Sequence, residues 1–380
     1  MQFPENLQQK LITRQDQGTY RRLKVNQAQI DFCSNDYLGL ARSAALKRLV
    51  TLEAEQFSDY LLGATGSRLL SGNHPVYELL ETQLATFHQA EAALLFNSGY
   101  VANLGIFSAV PQRGDTIFYD EASHASIKEG IRLSLAKAYS FKHNSLEDLS
   151  RKFKHATGNA YVAVESIYSM DGDQAPLPEL TAFCEKQGAY LIVDEAHANG
   201  LFGPQGEGLV VEHNVTAQVF ARIMTFGKAI GSHGAAIVGS TALREYLINF
   251  SRPFIYSTAL PLHNLLAIKG AYSFLPSLQT ERQHLKALAG YLNQQLAVTT
   301  GIFLKNPGPI NSIFAENVSQ LKKISEQLQG NNIDVRPVFS PTVPAGKERL
   351  RVIMHAFNTQ EQVDLLLQQI AILNSWSAYL

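Results

Sequence analysis

Tyr190-Leu191-Ile192-Val193-Asp194-Glu195-Ala196-His197 reads as a short apolar strand that ends in two carboxylates and a histidine. A bulky apolar run without polar alternation describes a strand covered on both faces, as in a parallel sheet. Related runs lie on either side of it: Thr116-Ile117-Phe118-Tyr119, Tyr161-Val162-Ala163-Val164, Arg222-Ile223-Met224-Thr225 and Ala235-Ala236-Ile237-Val238. Helix-length segments separate most of them, so the pattern predicts an α/β fold with a mostly parallel central sheet. Toward the C-terminus the pattern changes. Thr280 to Leu296 and Ser319 to Gln329 have helical amphipathicity, while Ser312-Ile313-Phe314 and Leu350-Arg351-Val352-Ile353 read as short strands, which predicts a smaller α+β domain. The expected organisation is an N-terminal arm over residues 1–45, a large domain over 46–275 and a small C-terminal domain over 276–380.

Composition removes several function classes. With 32 Lys plus Arg against 33 Asp plus Glu there is no bulk field to attract nucleic acid or an anionic membrane, and neither is expected as a partner. Cys33 and Cys184 form neither a disulfide framework nor a metal-ligand pattern. Met1 to Lys10 is polar rather than signal-like, and the chain has no run of eighteen apolar residues. These features predict a cytoplasmic protein.

The chemistry-bearing segments follow the strands. Thr225-Phe226-Gly227-Lys228 lies about thirty residues beyond Asp194. A lysine in a confined place suits Schiff-base formation, and a carboxylate suits the ring nitrogen of a pyridine electron sink. Asn97-Ser98-Gly99-Tyr100 opens a helical run, whose free N–H groups and positive dipole end make an anion site. His124, just beyond a strand, falls at the sheet edge where open α/β folds bind ligands, placed to stack on a flat ring. Ser169, in Ser166-Ile167-Tyr168-Ser169-Met170-Asp171-Gly172-Asp173, leaves the same edge. The glycine-rich stretch Gly63 to Gly72 matches neither a dinucleotide fingerprint nor a P-loop. Asp194, Glu195 and His197 match no standard zinc spacing, and no metal is expected. Arg349 and Arg351 fall on one face of a C-terminal strand, and a forked guanidinium there suits a substrate carboxylate.

Together with Asn35-Asp36-Tyr37-Leu38-Gly39, Gly66-Ser67-Arg68, Ser71-Gly72-Asn73, Ser98 to Asn103, Ser123-His124-Ala125-Ser126, Ile255-Tyr256-Ser257-Thr258 and Pro341-Thr342-Val343-Pro344-Ala345-Gly346, these segments make an ordered set over about residues 20 to 355. The set resembles the α-oxoamine synthases, pyridoxal-phosphate enzymes of fold type I. The resemblance implies pyridoxal 5'-phosphate as cofactor, with Lys228 as Schiff-base lysine, Asp194 at the pyridinium nitrogen and His124 stacked on the ring. It puts His197 and Ser169 near the phenolic oxygen, Gly99, Tyr100 and Thr225 near the phosphate, and Arg351 on the amino-acid carboxylate. Asn35, Arg21 and Thr342 are implied on the substrate side. Homodimers with active sites at the subunit interface are also implied, with Ser257 and Thr258 serving the neighbouring chain. The implied reaction condenses an amino acid with an acyl-CoA or acyl-carrier-protein thioester and releases CO₂. Within the family the nearest likeness is to members that use L-alanine and a pimeloyl thioester. Glycine with acetyl-CoA, serine with palmitoyl-CoA, and a fold-type I aminotransferase are the alternatives. Relatives often carry a small-residue run ending in His after the arginine, whereas this chain has Met354-His355-Ala356-Phe357-Asn358.

Overall fold

The computed structural model describes residues 3–23, 30–57, 61–300, 308–315, 317–340 and 342–371, so Pro341 of the last motif lies outside the described residues. In chain order the strands are β1 (Ile30–Asp31), β2 (Ala92–Phe96), β3 (Thr116–Asp120), β4 (Lys137–Phe141), β5 (Ala160–Glu165), β6 (Tyr190–Asp194), β7 (Val219–Thr225), β8 (Ala235–Gly239), β9 (Ile310–Phe314), β10 (Ile333–Asp334), β11 (Arg336–Val338) and β12 (Arg349–Ile353). The chain groups into two compact units. One comprises Asn35–Leu285 with His355–Phe357, and the other Met1–Ser34, Lys286–Met354 and Asn358–Leu380.

The larger unit is built on a seven-stranded sheet of order β2-β8-β7-β6-β5-β3-β4. β4, β3, β5, β6 and β7 run parallel, and β8 runs antiparallel to both β7 and β2. The expected mostly parallel α/β sheet is therefore present. β2 and β4, which the apolar runs did not announce, add its two edges. Because side chains alternate along a strand, one sheet face is set by Ile117, Tyr161, Ala163, Ile192, Ala221, Ile223 and Ile237. Against it pack Ile106 and Phe107 of the helix Gly99–Ala109, Ile127 and Ile131 of Ala125–Leu133, and Leu243 and Leu247 of Thr241–Phe250. Phe118, one residue on from Ile117, points to the other face and stacks on Tyr139 and Phe153. The same alternation sends Glu165, Asp194 and Thr225, the last residues of three neighbouring strands, toward the face covered by Gly99–Ala109.

The departure after Arg351 also has a structural counterpart within this unit. His355 is fully buried and stacks on Phe357, with ring centroids 4.6 Å apart. Phe357 lies beneath the Arg42 guanidinium, 3.8 Å from its ring centre. The other unit contains the antiparallel sheet β11-β12-β9 and the parallel pair β1-β10, with the helices Val318–Gly330 and Gln360–Ala371. Its strands β9 and β12 and the helix Val318–Gly330 cover the positions that the periodicity predicted. No helix among the described residues is long and apolar enough to cross a membrane.

Gly130 marks where the two helices over the site cross closely. A Cβ there would stand 2.7 Å from the Asn103 carbonyl oxygen and 3.0 Å from the Phe107 Cβ. Alanine's better helix propensity favours Gly130→Ala by about 1 kcal/mol. The clash with backbone opposes it and, at about 1–3 kcal/mol for overpacking, wins. Gly130→Ala is expected to lower the urea unfolding midpoint; an unchanged or raised midpoint would show that the helices can separate at little cost.

Candidate active site

The C-terminal ends of the parallel strands deliver the titratable groups to one sheet edge, because every βα loop of such a sheet starts there. Asp194 closes β6 and is 5% exposed. Its Oδ1 accepts the Ala196 N–H at 2.9 Å, and its Oδ2 accepts Asn103 Nδ2–H at 2.8 Å. The same Asn103 amide nitrogen donates to Ser126 Oγ at 3.0 Å, and that oxygen lies 2.8 Å from His124 Nδ1. Ser126 N–H also points at His124 Nδ1, 3.2 Å away. Nδ1 is therefore an acceptor, the Ser126 hydroxyl donates to it, and the neutral ring carries its proton on Nε2. The polarity of the chain Asp194–Asn103–Ser126–His124 is thereby fixed from end to end.

Glu165 ends β5 directly beside Asp194 in the sheet register. Its Oε1 accepts the His124 N–H at 2.5 Å. Burial, and after it the charge of Asp194, pushes the Glu165 carboxyl up to about 8, although Lys228 opposes the shift. The proton this leaves on Glu165 at neutral pH avoids two adjacent buried negative charges. His124 is shifted down, chiefly by burial with a further contribution from Lys228, against the pull of Asp194. It is thus held as a neutral, flat imidazole, and the exposed Tyr100 ring stands edge-on to it at 6.4 Å.

Lys228 sits, half-buried, on the turn joining β7 to β8. That turn is pinned by Phe226 N–H to Gly234 O (3.0 Å), Ser232 N–H to Phe226 O (2.8 Å) and Gly231 N–H to Lys228 O (2.8 Å). Thr225 precedes it, its carbonyl held by Asn199 Nδ2–H at 3.0 Å. The Thr225 methyl closes against the N-terminus of Gly99–Ala109, where a Cβ on Gly99 would meet Cγ2 at 2.4 Å. Ser98 caps this eleven-residue helix by accepting the Val101 N–H. Amides at the helix N-terminus, a threonine hydroxyl and a glycine at closest approach make a cradle that could hold a phosphate.

His197 follows in the loop after β6, its Nδ1 2.7 Å from the Tyr37 hydroxyl, which itself donates to Asn35 Oδ1 at 3.2 Å. Ser169 occupies the loop after β5 and is half-buried. Ser257 donates to the Pro253 carbonyl, and the Thr258 carbonyl accepts from Asn97, so the segment after the helix Arg252–Ile255 is tied to the residue before the phosphate cradle. Lys228, Asp194, His124, His197, Gly99, Tyr100, Thr225, Ser169, Ser257, Thr258 and Asn35 all belong to the larger unit. Arg21, Thr342 and Arg351 belong to the other, where Arg21 donates to Thr342 Oγ1 at 3.1 Å and Arg351 sits on β12 opposite Ser312 of β9. Arg349, its expected companion, is 4% exposed and lies over the Phe314 ring, so it is a packing residue of that sheet. Among the described residues no group of three His, Cys, Asp or Glu side chains is arranged to hold a metal ion. Glu165, Asn103 and Ser126 enter the site without having been singled out from sequence. For Glu165 the available signal was a carboxylate at the end of an apolar strand, in Ala160 to Glu165, while Asn103 and Ser126 each close a motif that the resemblance rests on.

A flat neutral imidazole, an aminated turn, a carboxylate and a phosphate cradle are the donor set that pyridoxal phosphate requires. Residues 27–370 match the family described as aminotransferase class I and II. The chain is 39% identical, over 97% of its length and 95% of the relative's, to an 8-amino-7-oxononanoate synthase from Emericella nidulans. Among solved structures it is similar to the 8-amino-7-oxononanoate synthase of Francisella tularensis, at 30% identity and a TM-score of 0.78 over 91% of this chain and 98% of that one. It is also similar to a serine palmitoyltransferase from S. paucimobilis holding PLP and myriocin, at 26% identity and a TM-score of 0.88 over 97% and 96% of the two chains.

The cradle yields a direct test. Gly99→Val drives two methyl groups toward Thr225 and is expected to weaken pyridoxal-phosphate binding at least about tenfold, a loss of about 1.4 kcal/mol. Fluorescence titration of the cofactor-free protein measures this, and wild-type affinity would place the phosphate elsewhere.

Proposed function

The chain belongs to the α-oxoamine synthases, pyridoxal-phosphate-dependent acyltransferases within the class I and II aminotransferase family, and we propose that it condenses L-alanine with a pimeloyl thioester to give 8-amino-7-oxononanoate, CO₂ and the free thiol. The observation that carries the substrate pair is the near full-length likeness to an 8-amino-7-oxononanoate synthase. The product and the carrier, coenzyme A or a carrier protein, rest on that likeness. Serine with a palmitoyl thioester is the second reading, favoured by the serine palmitoyltransferase structures.

Bound pyridoxal phosphate supplies an electron sink for negative charge at the amino acid α-carbon. The rest is work for the protein's own groups. Lys228 holds the cofactor through its amine and, once released, moves the proton at the substrate α-carbon. Asp194 faces the ring nitrogen and keeps its proton in place, with Asn103 fixing the carboxylate's direction. His124 covers one face of the ring. His197 and Ser169 donate toward the phenolic oxygen, while Gly99, Tyr100 and Thr225 take the phosphate. Arg351 grips the amino-acid carboxylate with its forked guanidinium. Asn35, Arg21 and Thr342 line the acyl side.

A second copy of the chain completes this reading. Leu61, Leu62, Leu69, Leu70 and Tyr256 are large apolar side chains left 50% to 86% exposed. Leu69 and Leu70 belong to the loop that Ser67 joins to Thr258 by a β-bridge. Apolar surface of this kind suits burial against a partner, and in a homodimer it brings Ser257 and Thr258 toward the neighbouring cofactor. Both described cysteines are unpaired, which suits the reducing cytoplasm.

Two measurements test the proposal. A matrix of alanine, glycine and serine against acetyl, pimeloyl and palmitoyl thioesters, read by thiol release and product mass, is expected to peak at alanine with pimeloyl. A peak at serine with palmitoyl would select the second reading, and keto-acid formation without thiol release would indicate transamination. Lys228→Ala is expected to abolish borohydride trapping of the cofactor on the protein and to cut turnover by about 10²–10⁴-fold. Retained trapping would assign the amine to another lysine.

A further inference from the structure

His143 lies two residues beyond β4, at the same sheet edge, and no step of the proposed reaction uses it. Its ring stands between two carboxylates, with Nδ1 3.0 Å from Asp120 Oδ1 and Nε2 2.7 Å from Asp173 Oδ2. An ionised carboxylate only accepts, so both ring nitrogens must donate, and the ring is an imidazolium. Burial alone would strip that proton, yet the bonds and charges of Asp120 and Asp173 outweigh it and carry His143 up to about 10. Two further groups lie close to His143. Tyr168 presents its ring edge-to-face at 4.4 Å, and Glu121 accepts the His143 backbone N–H at 3.3 Å.

Each carboxylate belongs to a different loop. Asp120 is fully buried at the end of β3, where it also accepts the N–H groups of Ala122 and Asn144, both at 2.8 Å, and so fixes the turn leading to His124. Asp173 closes the loop after β5 that carries Ser169. Its backbone carbonyl accepts the Tyr168 N–H at 2.9 Å, and its side chain also takes Asn144 Nδ2–H at 2.9 Å. Asn144 adopts a left-handed conformation, φ +53°, which turns both its backbone and side-chain donors into the same cluster.

We propose that His143 is a positioning residue, a strut held between two carboxylates that sets the loop bearing His124 and the loop bearing Ser169 at a fixed separation across the cofactor ring. The inference rests on the reading above that those two residues contact pyridoxal phosphate. Without the imidazolium, Asp120 and Asp173 repel across the gap, and the two loops keep only the uncharged bridge through Asn144.

The test is titration of pyridoxal phosphate into the cofactor-free full chain from pH 6 to 10.5, followed by visible circular dichroism. His143→Gln keeps the side chain's reach and removes the charge; it is expected to raise the dissociation constant about tenfold or more at pH 7.5 and to diminish the cofactor's dichroic band. Asp173→Asn leaves the histidine but removes one of the two charges holding its proton. The wild-type affinity component lost toward pH 10 is then expected to shift down toward the ordinary histidine range near 6.5. A merely structural contact would not move that midpoint. Should His143→Gln fail to fold, the Asp173→Asn titration decides alone. Wild-type binding of pyridoxal phosphate, with both variants matching it in affinity, dichroism and pH midpoint, would overturn this inference and leave the functional reading intact. Wild type that binds no pyridoxal phosphate would overturn both.

Discussion

Two carboxyl groups cannot stand side by side, buried and both charged, without a large electrostatic cost. Glu165 and Asp194 are so placed by strand register alone, since β5 and β6 pair with these residues opposite one another. The conflict is resolved unequally. Asp194 receives two N–H donors, from Asn103 and Ala196. Glu165 accepts from the His124 amide, and burial beside Asp194 pushes its carboxyl up to about 8. In the proposed reading Asp194 is the carboxylate set against the cofactor's ring nitrogen, and its protonated neighbour Glu165 anchors His124 through its backbone amide. The helices Gly99–Ala109 and Ala125–Leu133 supply the bridging Asn103 and Ser126, so their close crossing at Gly130 is part of the same arrangement.

The fold was legible where burial on two faces leaves an uninterrupted apolar run. β3, β5, β6, β7 and β8 all announce themselves in this way, and so does the amphipathic pattern of Val318–Gly330. β4, Lys137-Ala138-Tyr139-Ser140-Phe141, is an edge strand, and only Phe141 within it is fully buried, so it carries no such signal. β2, Ala92-Ala93-Leu94-Leu95-Phe96, is apolar throughout, but its alanines and leucines suit a helix as well as a strand, and its place at the sheet edge, antiparallel to β8, is not a property of its own sequence.

The site divides along a similar line. Lys228, Asp194 and His124 were visible because each stands in a local pattern, a strand end or the turn just after one. Glu165 was not, because its significance arises from the residue across the register and not from its neighbours in the chain. Arg349 and Arg351 illustrate the limit from the other side. They share a strand face by alternation, but Arg349 is buried over Phe314 while Arg351 is half-buried, and period-two reasoning cannot separate them.

The antiparallel β8 has one more effect. A lysine on an ordinary βα loop shares that loop's mobility, but here the nine residues between Thr225 and Ala235 close a hairpin whose two ends are paired in register. Backbone bonds from Phe226 to Gly234 and from Ser232 to Phe226 brace it from within. The base of the Lys228 arm is held by this hairpin, so movement of the amine falls to its four side-chain torsions. Such rotations take picoseconds to nanoseconds, whereas collective loop motions reach microseconds and beyond. In the proposed reaction, side-chain rotation of Lys228 is therefore a fast step, and the slower ones are bond making and the exchange of bulky ligands.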